Sequence, residues 1–154
     1  MSMPLSMSDR LAQRLALAVP ALLLAGAYIS EYGFDLFPCE MCWWQRWPHF
    51  AAIGLAFLST VLPGKRFWIA AAAGGILTSG LIGAFHAGVE WNWWEGITGC
   101  AGAEPGNFMS MDVVRCDVAA WRFLGISLAG WNALLSIGSA IAIWVLLAAK
   151  EKVR

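Results

Sequence analysis

Four cysteines are the residues of this chain best suited to covalent chemistry: Cys39, Cys42, Cys100 and Cys116. Thiols and disulfides exchange electron pairs when a thiolate attacks a sulfur. Cys39-Glu40-Met41-Cys42 is a C-x-x-C pair at the expected start of a helix. A helix N-terminus stabilises a thiolate, which is both the nucleophile and the better leaving group. Such a small loop is more often redox-active than purely structural. Cys100 and Cys116 lie in a second segment whose first half, with Gly96, Gly99, Gly102, Pro105 and Gly106, reads as a loop that a soluble partner could reach. Two other uses of four cysteines stand beside this one. A structural zinc site is disfavoured because the second pair lacks ribbon spacing. Inert staples are disfavoured because lipid-embedded helices seldom need them.

Three further polar residues stand close to the first pair or near the membrane surface. Arg46 follows Cys42 by four residues and His49 by seven, so all three share one helix face. Pro48 either kinks that helix or belongs to its first turn. His86 comes late in an apolar run. Ionisable groups at membrane depth are costly and default to functional candidates. The plainer alternatives are a snorkelling arginine and hydrogen-bonded interfacial histidines.

The elements that must position these residues are apolar. Of 154 residues, 60% are hydrophobic and 13% charged, against about 25% charged in a soluble domain. So short a chain cannot hide that much apolar surface from water. Ten basic residues balance ten acidic ones, so a nucleic-acid partner is not expected. The expected fold class is all-α: an integral membrane four-helix bundle, one membrane domain over 1–154. Approximate spans are 11–32, 44–63, 67–89 and 124–149. Two short periplasmic loops, 33–43 and 90–123, carry the cysteine pairs. A cleavable signal peptide is the competing reading of the first span, from Arg10 and Arg14 to Ala25-Gly26-Ala27. Val113–Phe123 is expected to form a short interfacial helix.

Charge placement gives the orientation. Arg10, Arg14, Lys65, Arg66, Lys150, Lys152 and Arg154 fall on one side, and Arg46, Arg115 and Arg122 on the other. The basic side is cytoplasmic, so both termini are expected there and all four cysteines outside, where disulfides persist. Trp43, Trp44, Trp47, Trp91, Trp93, Trp94 and Trp121 mark the outer interface. Gly75, Ser79 and Gly83 recur every four residues and are expected to permit close helix packing.

Taken in order, these motifs resemble the disulfide bond formation protein B (DsbB) family of quinone-linked thiol oxidases. The resemblance rests on Pro38-Cys39-x-x-Cys42-x-x-Gln45-Arg46, on His86, on an outer loop with two cysteines, and on Cys116 followed by Trp121-x-Phe123-Leu124-Gly125. It implies a bacterial inner-membrane protein that reoxidises a periplasmic thioredoxin-fold dithiol oxidase (DsbA-like). Cys100 would form the mixed disulfide with that partner, and Cys116 would be its mate. Electrons would pass to Cys39 and Cys42 through an interloop disulfide, Cys39–Cys116. Cys42 would then reduce a quinone, ubiquinone or menaquinone, bound near Arg46 and His86. No metal is implied. The loop between Cys100 and Cys116 is shorter than in the best-known members, and His49 is not part of the family pattern. The vitamin K epoxide reductase family has a similar bundle, but there the loop pair precedes the C-x-x-C. A membrane scaffold with structural disulfides is the non-enzymatic alternative; its bonds would have potentials below about −300 mV.

Overall fold

Each of the four expected spans overlaps a helix and ends within two residues of that helix's end in the computed structural model, which describes residues 5–98 and 114–149. Cys100 lies outside the described residues. Helix α1 is Met7–Phe34, α2 is Glu40–Val61, α3 is Lys65–Glu90 and α4 is Leu128–Ala148. Ser6 caps α1 by accepting the Asp9 amide at 3.1 Å, and Ser127 caps α4 by accepting that of Gly130 at 3.1 Å. Both satisfy backbone donors that the first turn leaves free. The α2–α3 turn is short and closes on Gly64, whose φ of 72° suits a residue without a Cβ.

The fourth helix starts later than expected. Arg122–Phe123 and Ile126–Ser127 pair as a small antiparallel hairpin, β1 and β2, around Leu124-Gly125. Both central residues have positive φ, 52° and 80°. That matches the tight primed turn whose twist suits a hairpin. The apolar run from Phe123 therefore folds back before helix begins at Leu128. No residue in 114–123 is helical, so the interfacial helix expected over Val113–Phe123 is not found among the described residues. The hairpin is also a small exception to the all-α expectation.

Small residues dominate the packed interior. Ala12, Ala16, Ala52, Ala56, Ala72, Ala73 and Ala140 meet Ile69, Ile76 and Ile143 there. Without a strong hydrophobic drive between helices in lipid, close backbone approach supplies the packing. The Gly75–Ser79–Gly83 row does this on α3. A Cβ at Gly75 would stand 3.1 Å from the Pro48 carbonyl of α2, and one at Gly83 would stand 2.9 Å from the Ala129 carbonyl of α4. Ser79 does more than pack, as its hydroxyl donates to the Gln45 carbonyl at 2.8 Å.

Helices α1, α3 and α4 are long and apolar enough to cross a membrane. Helix α2 is less apolar than α3 and α4 because of the polar residues of its first half. Those residues point inward: Gln45, Arg46 and His49 are buried. Large apolar side chains such as Leu22, Phe57, Leu81, Ile141 and Val145 face outward instead. At one end of the bundle Arg66 of α3 holds Asp9 of α1 at 2.7 Å and also donates to the Leu147 carbonyl of α4. The C-x-x-C pair is at the other end.

Candidate functional site

Cys39 is the N-cap of α2. Its backbone is extended and its sulfur accepts the Cys42 amide at 3.3 Å. A C-x-x-C at a helix start brings its second sulfur back over the first turn, and here the two sulfurs are 3.0 Å apart. Both precede the apolar stretch expected as the span. The thiols divide one proton unequally. The hydrogen bond with Cys42, then burial, pushes the Cys39 thiol up to about 12, and the same bond pulls the Cys42 thiol below its ordinary value. Of the two thiols, Cys42 therefore loses its proton first and Cys39 holds its own more firmly.

That division has a measurable consequence. In reduced protein at neutral pH, an alkylating reagent is expected to modify Cys42 before Cys39. The Cys42 rate should level off below the ordinary thiol range, while the Cys39 rate climbs into strongly alkaline solution. Peptide mapping after timed alkylation across pH measures both, and equal rates or Cys39 reacting first would contradict the assignment.

The second-loop cysteine meets this pair. Cys116 is fully buried in a cluster with Cys39, Met41 and Val89. Burial raises its thiol, while the Met41 backbone amide and Thr98 oppose the rise. The Thr98 hydroxyl donates to its sulfur at 3.4 Å. His86 bridges the two loops, with Nε2 at 3.6 Å from Cys39 Sγ and 3.1 Å from the Cys116 carbonyl.

A polar chain across three helices fixes that histidine. Asn132 of α4 donates to Gln45 Oε1 at 2.9 Å. Gln45 Nε2 then faces the Met41 carbonyl at 3.1 Å and His86 Nδ1 at 2.9 Å. An amide N–H can only donate, so Nδ1 accepts and Nε2 carries the proton. The proton thus points at Cys39 and Cys116. Glu90 stands on the same side, 3.8 Å from Nε2. On its other side Asn132 reaches His49 Nε2 at 2.9 Å.

Arg46 is held from α1. It forms a 2.6 Å ion pair with Glu31, with side chains 6% and 11% exposed. Its guanidinium lies between the rings of Tyr28 and Trp43, 4.7 Å from each centroid. Cys39, Cys42, Gln45, Arg46, His49, His86 and Glu90 all line one cavity of about 450 Å³. Its remaining walls are largely apolar, from Leu22–Leu24 and Ala27 of α1 to Leu128 and Ala129 of α4. An apolar slot with a few convergent polar groups suits a flat ring bearing polar oxygens.

The expected site residues within the described chain, Cys39, Cys42, Cys116, Arg46 and His86, are therefore gathered in one place. Glu31, Gln45, Asn132 and Glu90 join them without having been singled out, although Gln45 stands inside the motif. His49 enters the cavity wall as its shared face with Cys42 suggested. Cys39, Cys42 and His86 also have ligand atoms within 4.8 Å of one another. Their sulfurs are closer than the roughly 3.8 Å that two thiolates span across a tetrahedral zinc with bonds of about 2.3 Å. Thiol exchange fits the spacing better.

Relatives of this chain share one name. The chain is 30% identical over 144 residues to a disulfide bond formation protein B of Azoarcus sp. (strain BH72), covering 82% of this chain and 84% of that one. It is 32% identical over 143 residues to one from Xanthomonas oryzae pv. oryzae, covering 80% of each. A third, from Marinobacter nauticus, is 29% identical over 154 residues, covering 83% and 85%. No solved structure gives a significant match. The family model described as disulfide bond formation protein DsbB matches residues 9–146, and the chain belongs to that family.

Proposed function

We propose that this protein is a membrane thiol–disulfide oxidoreductase that reoxidises a periplasmic thioredoxin-fold dithiol oxidase and delivers the electrons to a membrane quinone. All four helices cross the bacterial inner membrane, both termini are cytoplasmic, and the four cysteines are periplasmic. The joining of Asp9, Arg66 and the Leu147 carbonyl at the end away from the cysteines supports this. Those residues belong to the N-terminal, hinge and C-terminal regions that the charge pattern groups together.

A partner thiolate attacks Cys100 of a Cys100–Cys116 disulfide and Cys116 leaves as a thiolate; the partner's second thiol then closes the partner's own disulfide and frees Cys100. Cys116 attacks Cys39 of a Cys39–Cys42 disulfide and Cys42 leaves; Cys100 then attacks Cys116, restoring the loop disulfide and releasing Cys39, and the reduced Cys39–Cys42 pair is reoxidised at the cavity. Quinone supplies a two-electron, two-proton acceptor, so a dithiol and a quinone become a disulfide and a quinol. The chain's own groups prepare each exchange. The helix start and the Cys39 thiol favour the Cys42 thiolate. His86 offers its Nε2 proton to Cys39 when that sulfur becomes a leaving group. Arg46 offers fixed positive charge where a ring oxygen gains negative charge in a poorly solvated place. The observation that carries the reading is that Cys42 and Arg46 line the same apolar cavity.

Purified chain supplied with a reduced thioredoxin-fold dithiol and a short-chain quinone should form one quinol per disulfide. The disappearance of quinone absorbance and the loss of free thiol report both. Thiol oxidation without quinol formation would refute the reading.

A further inference from the structure

Two buried side-chain polar atoms among the described residues have no hydrogen-bond partner: His49 Nδ1 and Glu90 Oε2. Both residues line the cavity that holds Cys42 and Arg46. Glu90 is at its outer end, beside His86. His49 is seven residues beyond Cys42 on α2, about two helical turns deeper. Its side chain is enclosed, with 3% of the residue exposed. An unpartnered polar atom in such a place is costly unless something binds to it.

The protonation of His49 follows from its neighbours. The Ser79 hydroxyl gives its one proton to the Gln45 carbonyl, so at 2.9 Å from His49 Nε2 it can only accept. Asn132 gives its amide protons to Gln45 and Ser79, so the atom it turns to His49 Nε2, at 2.9 Å, is the oxygen Oδ1. The Ser136 hydroxyl donates to that same oxygen at 3.0 Å. Both neighbours of Nε2 accept, so Nε2 carries the hydrogen and Nδ1 is a bare lone pair. A quinone carbonyl is itself an acceptor and gains nothing from that atom. A quinol hydroxyl is a donor and fits it.

We propose that His49 Nδ1 accepts a hydrogen bond from a hydroxyl of the quinol product, so that the cavity holds the reduced ring more tightly than the oxidised one. The inference rests on the quinone reading of the cavity. In the overall step two electrons and two protons leave the Cys39 and Cys42 thiols, an S–S bond forms, and both ring oxygens become hydroxyls. His49 neither gains nor loses a proton. Its effect is a preference between two forms of one ligand, which draws the dithiol equilibrium toward disulfide. Arg46, a donor only, serves the oxidised form, and His49, an acceptor, serves the reduced one.

The test measures binding, not turnover. Full-length chain in lipid nanodiscs, with Cys42→Ser to prevent electron transfer, is titrated calorimetrically with a short-chain benzoquinone and separately with its quinol. His49→Gln reaches the position of Nε2 and keeps the donor toward Asn132 and Ser79, but removes Nδ1. His49→Asn does the reverse. His49→Gln should lose about tenfold in quinol affinity, the scale of one hydrogen bond to a buried group, with quinone affinity unchanged. His49→Asn should keep part of the quinol preference. A His49→Gln protein with the parent's quinol-to-quinone ratio would make His49 a packing member of the Asn132 network and overturn the inference. Equal binding of both forms by the parent would overturn it too, while leaving the cavity reading intact. A parent that binds neither form would instead remove the cavity reading itself.

Discussion

Replacing Arg46 with Ala is expected to slow quinone reduction tenfold or more and to destabilise the bundle by about 3–5 kcal/mol. The first effect follows from losing a fixed positive donor beside Cys42. The second follows from Glu31, whose carboxylate is 11% exposed and has Arg46 at 2.6 Å. Removing one member of a buried pair leaves the other charged and poorly solvated. Arg46 also lies between Tyr28 and Trp43 and donates to the Ala27 carbonyl at 3.5 Å. It therefore ties α1 to α2 at the cavity mouth. The two effects separate in the double variant Arg46→Ala/Glu31→Gln. Taking away the stranded charge should recover much of the stability and none of the quinone turnover. Arg46→Lys should keep part of both, since the charge remains while the planar fork is lost. Thermal unfolding in detergent and steady-state rates over a range of quinone concentrations measure the pair. Recovery of full turnover by the double variant would make Arg46 a structural residue only, and an unchanged rate and quinone affinity in Arg46→Ala would do the same.

Glu31 illustrates where the sequence stopped being legible. Its charge grouped it with Arg46 on the expected outer side, and the two form an ion pair. The partnership itself needs the rotation of α1 against α2, which no spacing within either helix encodes. The Asn132–Gln45–His86 chain is the same case across three helices. Asn132 sits in an apolar run, where a single amide carries no periodic signal. Contacts within one helix were readable because a fixed rise and turn impose them. Cys42, Arg46 and His49 line one cavity, which is consistent with the one helix face their spacing gives them. Cys39 takes the N-cap that its place before the helix foretold. The hairpin before α4 was hidden for a different reason. Leu124 occupies a turn position with φ of 52°, where Asn or Gly would have announced the turn. Its apolar side chain made the segment read as the start of a span.

Replacing Cys42 with Ala is expected to reduce quinone reduction to below about one-thousandth of the parent rate, because a residue that takes part covalently is lost. It should also leave the two loops joined through Cys39 and Cys116. Cys39 and Cys116 are buried together in one cluster, and His86 Nε2 reaches both the Cys39 sulfur and the Cys116 carbonyl. In the parent, the hydrogen bond to Cys42 is the largest influence keeping the proton on Cys39. Once Cys42 is gone, His86 still lowers the Cys39 thiol and only burial among the main influences opposes it. Cys39 thiolate is then freer to attack Cys116 of a Cys100–Cys116 disulfide. One S–S bond forms, one breaks, and Cys100 leaves as a thiolate, so the exchange needs no outside oxidant. In the parent, Cys42 can attack Cys39 of that bond and release Cys116; in the variant α2 has no thiol left to do so. Peptide mapping without reductant should therefore find Cys39 linked to Cys116 in Cys42→Ala. The companion Cys39→Ala should leave Cys42 free, since in the parent its sulfur is hydrogen-bonded to Cys39 and not to Cys116. A Cys42→Ala protein with free Cys39 beside an intact Cys100–Cys116 bond would rule out the interloop step, and sustained quinone reduction in that variant would rule out Cys42 as the electron donor.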